Sequence, residues 1–143
     1  MTYAQQSDMT ARFDPSEVVA LTDRSNAGVI DPVVLAGALA EADAEIEAYL
    51  APRYPLPLNP VPRIITGLAC DIARYRLCGG RVLATDEIRA RYKDAVRLLE
   101  KISEGRVGLG VDVNGTSPPE SSSVVLTATD PGRVFNDDSL LGY

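Results

Sequence analysis

Four carboxylates fall within seven residues: Glu41, Asp43, Glu45 and Glu47. Such a set could hold a divalent metal or share a proton as general acid and base. Helical di-metal bundles combine carboxylates with inward-facing Glu-x-x-His pairs, and this chain has no histidine. The same absence excludes Ser-His-Asp triads, Cys-His pairs and HExxH zinc sites. Asp23-Arg24-Ser25-Asn26-Ala27-Gly28 imitates the start of a calcium loop, with oxygen ligands at positions one and three and glycine at six. Ala27 stands at position five and Val34 where a bidentate glutamate belongs, so the segment reads as a turn. Gly108-Leu109-Gly110 lacks a third glycine and a following helix, and no GxxxxGK[ST] phosphate loop is present. Composition argues against an enzyme, and neither a metal nor any other cofactor is expected.

Cys70 and Cys78 supply too few thiolates for a structural zinc site. On one helix their eight-residue spacing separates them by roughly 12 Å, beyond disulfide reach. They read as reduced, small apolar residues. The basic residues Arg74, Arg76, Arg81, Arg89, Arg91, Lys93 and Arg97 cluster in the middle of the chain. Yet acids outnumber bases 20 to 14 overall, for a net charge of −6, so no whole-molecule footprint for nucleic acid exists. The polar start has no secretory pattern, and uncharged stretches reach only nine residues, such as Pro32 to Ala40. A soluble protein made inside the cell is expected, with no membrane partner.

Helices must position these groups. With 143 residues, 45% of them hydrophobic, the chain is long enough for one domain with a real core. Ser7 or Asp8 is placed to cap a short helix through Phe13, and Asp14-Pro15 starts a second over Val18, Val19 and Leu21. Asp31-Pro32 begins the clearest helix, whose stripe of Leu35, Leu39, Ala42, Ile46 and Leu50 leaves the carboxylates of 41–47 on the other side. That acidic side is expected to face solvent or another subunit. Five prolines make Ala51 to Pro62 an extended connector. Ile65, Leu68, Ile72 and Tyr75 mark a helix from about Pro62 to Cys78, stopped by Gly79-Gly80. Thr85 caps a last one to about Glu104, buried through Ile88, Tyr92, Ala95, Leu99 and Ile102, with Gly105 as its stop. The fold class expected is all-α: a small bundle of three long amphipathic helices with short N-terminal ones.

Charge divides the chain differently. Residues 1–51 carry net −7, residues 52–106 net +5 and residues 107–143 net −4. Oppositely charged portions suit contacts between unlike patches of neighbouring copies, unless helix packing within the chain consumes both. Residues 1–106 read as the helical domain and 107–143 as an arm. Glycines, prolines and serines dominate the arm's first half, but Val124-Val125-Leu126-Thr127-Ala128-Thr129 favours a strand and Arg133-Val134-Phe135 follows. A lone strand has no partner in a helical bundle. The arm is either unstructured in the monomer or ordered by adding a strand to a partner's sheet edge.

These residues resemble a known family. The signature comprises Tyr3-Ala4, Leu21-Thr22-Asp23, the block Asp43-Ala44-Glu45-Ile46-Glu47-Ala48-Tyr49-Leu50, and then Ala51-Pro52-Arg53-Tyr54-Pro55-Leu56-Pro57-Leu58. Leu68-Ala69-Cys70-Asp71-Ile72-Ala73-Arg74-Tyr75 and Arg91-Tyr92-Lys93-Asp94-Ala95 follow. Together they are similar to the head–tail connector (neck, or head-completion) proteins of Mu-like phages and prophages, over roughly residues 2–110. Family members often carry more acids around 23–31, where this chain has Ser25 and Ala27. The resemblance implies a helical adaptor in the virion, assembled in the bacterial cytoplasm as a twelvefold homo-oligomeric ring beneath the portal protein and above a tail-side neck or tail-terminator protein. DNA would pass through without sequence-specific binding. No catalytic residue is implied. Glu41, Glu45 and Glu47 against Arg74, Arg89 and Arg91 are the expected subunit contacts, and Val124, Val125, Leu126, Val134 and Phe135 the expected portal-binding arm. The competing reading is a small cytosolic helical regulator that binds protein or DNA.

Overall fold

Asp31 does what an aspartate before a proline is suited to do. Its carboxylate accepts the backbone N–H groups of Val33 (2.9 Å) and Val34 (3.2 Å), while Pro32 occupies the first helical position, where no amide hydrogen is needed. In this computed structural model, which describes residues 2–79 and 82–111, five α-helices form. They are α1 (Gln6–Arg12), α2 (Pro15–Thr22), α3 (Pro32–Leu50), α4 (Arg63–Leu77) and α5 (Asp86–Ser103). The chain is all-α through the described residues, as its periodicity indicated; the candidate strand at 124–129 and the rest of the arm lie outside them.

Helix α4 is central and packs against all four other helices. Its Ile65, Ala69, Ile72 and Ala73 are sealed from solvent together with Leu35, Ala42, Ile46 and Leu50 of α3 and Leu99 and Ile102 of α5. Fully burying each large aliphatic side chain contributes about 1.5–3 kcal/mol, so the three long helices carry most of the cohesion. The proline-rich connector adds Tyr54 and Leu58 to the same core and contains two cis prolyl bonds, Leu56–Pro57 and Asn59–Pro60. Packing also continues past the expected domain boundary at 106. Val107, Leu109 and Val111 lie against the core, and the Leu109 amide donates to the Tyr54 hydroxyl at 3.4 Å.

The first helix starts differently from the sequence reading. Asp8 does not cap it from outside; it sits one turn inside, where its carboxylate accepts the Gln5 amide at 2.7 Å and favours the positive end of the helix. The larger departure is that Tyr3 and Ala4 fold back into the core, exposed by only 3% and 1%. They cover a side of α3 that the apolar stripe alone leaves open.

Two glycines have opposite meanings. Gly105 follows α5 at φ +79°, and a Cβ there would collide with the Arg53 guanidinium. Gly37 lies inside α3, exposed, with open space where a Cβ would point. Gly37→Ala is therefore expected to stabilise the protein by about 0.5–1 kcal/mol, whereas Gly105→Ala should destabilise it by about 1–3 kcal/mol. Urea denaturation followed by circular dichroism checks both signs.

Candidate functional site

Because α4 touches every other helix, its polar residues cannot all reach water. Asp71 and Arg74, three positions apart and both buried, must find partners from neighbouring helices. Arg12 of α1 grips Asp71 through two bonds, Nη2 to Oδ2 at 2.7 Å and Nε to Oδ1 at 3.2 Å. Arg91 of α5 approaches the same carboxylate at 3.8 Å and bonds Glu87 at 2.9 Å. Arg74 lies 3.6 Å from Glu87, meets Glu17 of α2 at 2.5 Å, and stacks over the Phe13 ring at 4.6 Å. The sequence Arg12–Asp71–Arg91–Glu87–Arg74–Glu17 thus alternates in sign and ties α1, α2, α4 and α5 together.

A second polar cluster joins the long helices. Glu45 of α3 accepts from Arg76 of α4 (2.8 Å) and from the Tyr92 hydroxyl of α5 (2.8 Å). Tyr92 stacks on Tyr75 with ring centroids 4.2 Å apart. A third cluster holds the N-terminal strap. The Tyr3 amide donates to Asp43 at 3.1 Å, and its hydroxyl donates to Glu47 at 2.9 Å. Burial, followed by the Glu47 bond, pushes the Tyr3 phenol up to about 12, and burial raises the Asp43 carboxyl.

These contacts redistribute the residues expected at a subunit interface. Asp43 is buried, so the acidic side of α3 is not a uniformly solvated face: the strap covers Asp43 and Glu47, and Glu45 is claimed by Arg76 and Tyr92. Arg74 is also buried, with partners inside the chain. Glu41 is exposed, as are Arg89 and Arg91. Among the described residues Arg89 pairs only with Asp86, at 3.6 Å, whereas Arg91 belongs to the network above. The structure therefore brings Arg74 and Arg91 to one network and Glu45 and Glu47 to two others, with Glu41 and Arg89 left on the surface. Val124, Val125, Leu126, Val134 and Phe135 lie outside the described residues. Arg12 and Asp71 are 59 positions apart, and no local pattern announces their pairing.

The calcium-like loop has its own explanation. Asp23 accepts the backbone N–H groups of Ala27 (3.0 Å) and Gly28 (2.7 Å), which hold its carboxyl below the usual range. Its oxygens close a turn before α3, as expected of an aspartate in this position. Among the described residues no three His, Cys, Asp or Glu side chains gather to hold a metal ion. Both cysteines are free, and burial raises the Cys70 thiol to about 11, away from reactivity at neutral pH. Among the described residues, no helix is long and apolar enough to cross a membrane.

The described residues form a small all-α domain whose buried charges on α4 are cross-linked to the neighbouring helices. Residues 3–128 match the family model described as Bacteriophage Mu, Gp36. The chain is 36% identical over 132 residues to gene product J of Escherichia phage Mu, covering 92% of each protein. It is 32% identical over 142 residues to the Mu-like prophage FluMu protein gp36 of Haemophilus influenzae, across 99% of this chain and 97% of that one. The protein belongs to the Mu gp36 family.

Two outcomes test the electrostatics. Arg74→Met should cost about 2–3 kcal/mol, because it strands Glu17 beside apolar surface, whereas Arg89→Ala should cost under about 0.5 kcal/mol; urea midpoints measure both. For Tyr3 the folded-state pKa lies above the unfolded value of 10.0, so the folded state retains a proton that the unfolded chain loses. Stability should hold below about pH 10 and fall as pH rises towards 12. Tyr3→Phe should reduce that slope while lowering stability at pH 8 by about 1 kcal/mol.

Proposed function

We propose that this protein is a structural component of a Mu-like virion, a head–tail connector that forms a ring below the portal and encloses the path of DNA. The observation that carries this reading is family membership along nearly the whole chain, with relatives in phage Mu and a Mu-like prophage. Physical features agree with it. The buried charges of the helical domain are paired within the chain, and the chain's acidic excess disfavours retention of phosphate. Its role is structural rather than catalytic.

In this reading the helical domain is the ring's rigid block and neighbouring copies meet through unlike surfaces, as closed rings require. Glu41 and Arg89 are the members of the sequence-derived contact set best exposed for that task. The arm beyond Val111 reaches the portal, where Val124, Val125 and Leu126 add backbone hydrogen bonds at a sheet edge and Val134 and Phe135 fill apolar pockets. A DNA-binding regulator is less well supported: along α5, Arg89, Arg91 and Arg97 each lie beside an acid, Asp86, Glu87 and Asp94 respectively, rather than forming an open basic stripe.

Quantitative mass spectrometry of purified particles should find the protein in fixed, low copy relative to the major capsid protein. Particles made without it should accumulate as full heads and free tails. A chain truncated after Val111 should retain its helical circular dichroism and fail to join heads. Normal joined particles lacking the protein would refute the assignment.

A further inference from the structure

The C-terminal end of α4 borders three adjoining clefts. A cleft of about 520 Å³ borders Ala20, Leu21, Arg24 and Cys78. A second of about 320 Å³ lies between Arg76 and Arg89. A third, of about 300 Å³, runs over Val33, Val34, Gly37 and Ala38 of α3. Arg76 lines all three, so the clefts adjoin around its side chain as a groove with two ends of different character. One end presents Arg76 and Arg89; Arg24, which has no ion pair among the described residues, lines the other two clefts, and Arg76 shares its charge with Glu45. The other end carries the small apolar residues Val33, Val34, Gly37 and Ala38 between Arg24, Arg76 and Glu41, with Val33 exposed by 78% and open space beside the Gly37 Cα. The acids on its margin are Glu41 at the apolar end, Asp86 beside Arg89, and Asp23, whose carboxylate is bound by loop amides.

A ligand suited to this groove would carry adjacent acids followed by aliphatic side chains. The chain contains such a segment outside the described residues: Asn136-Asp137-Asp138-Ser139-Leu140-Leu141. We propose that this segment of one copy docks in the groove of a neighbouring copy, with Asp137 and Asp138 at Arg76 and Arg89 and the leucines over Val33, Gly37 and Ala38. Glu41 repels the aspartates from the apolar end and so sets the direction. The arm is long enough to reach its own groove or a neighbour's, and the ring of the proposed function selects the neighbour's. Val111, where the described chain stops, follows Leu109, which bonds Tyr54 near the end of α3. The groove flanks the beginning of α3, roughly 28 Å away along a 19-residue helix. Donor and acceptor therefore lie at opposite ends of the domain, the geometry of a heterologous contact. About 25 intervening residues span up to roughly 80 Å when extended, ample to reach the next subunit.

This inference rests on the self-association in the proposed function but is separable from it by experiment. Val33→Cys and Ser139→Cys are introduced together in the full chain with Cys78→Ala, oxidised with copper-phenanthroline, and the linked peptides identified by mass spectrometry. A 33–139 disulfide in covalent dimers and higher species is the expected product. Asp137→Arg with Asp138→Arg should cut its yield at least tenfold, and adding Arg89→Asp should restore part of it. Gly37→Phe, which projects into open space and spares the core, should block it as well. A 33–139 link confined to monomers, or no such link in a chain that sedimentation shows to be oligomeric, would overturn the docking and leave the ring intact. A chain that stays monomeric at all concentrations, with no link, would overturn both.

Discussion

Buried charge on α4 is the constraint around which this domain is arranged. A helix that touches four others has no solvent face wide enough for both Asp71 and Arg74, and an unpaired ion in such a place costs several kcal/mol. The remedy is to bring counter-charges from each flank: Arg12 from α1, Glu17 from α2, and Glu87 and Arg91 from α5. The short N-terminal helices bury little apolar surface of their own, with Met9 and Val18 their only side chains wholly excluded from solvent besides Thr22. Ion pairing therefore specifies where they sit, while the aliphatic packing of α3, α4 and α5 supplies most of the stabilisation.

Much of this was legible in the residue pattern. Asp14-Pro15, Asp31-Pro32 and Thr85 start helices where their capping chemistry requires, and Gly105 ends α5 at positive φ. The 3.6-residue stripes named the aliphatic core because burial on one face is a local, periodic signal, whereas Tyr75 and Tyr92 of those stripes are half-buried and stack on each other beside Glu45. The acidic side of α3 was harder. Asp43 lies beside the stripe rather than opposite it, and only the return of Tyr3, 40 positions away, decides that it is buried. Likewise, regional charges of −7 and +5 suggested contacts between copies, but Glu17–Arg74 and Glu45–Arg76 show the two regions bridging within one chain. Net charge by segment cannot distinguish those cases, because it contains no information on which helix faces which.

A consequence follows for assembly. Charges already satisfied inside the domain are poor material for a reversible interface, since using them would first require breaking a bridge. In the proposed ring, contacts between subunits would draw on exposed residues such as Glu41, Arg24, Arg89 and the apolar rim of Val33, together with the arm beyond Val111. Such a division lets a small protein fold first and assemble afterwards, with the two tasks drawing on different residues. It suits the proposed connector, which must hold its shape while DNA moves past.

The most direct test is an electron cryomicroscopy reconstruction of the neck of assembled particles at side-chain resolution. The expected result is a ring of this chain in which Arg12–Asp71 and Glu17–Arg74 remain within each subunit and neighbours meet through the surface around Arg24, Val33 and Arg89. A ring in which Arg74 or Asp71 instead pairs with an adjacent subunit, or a neck with no density for this chain, would contradict it.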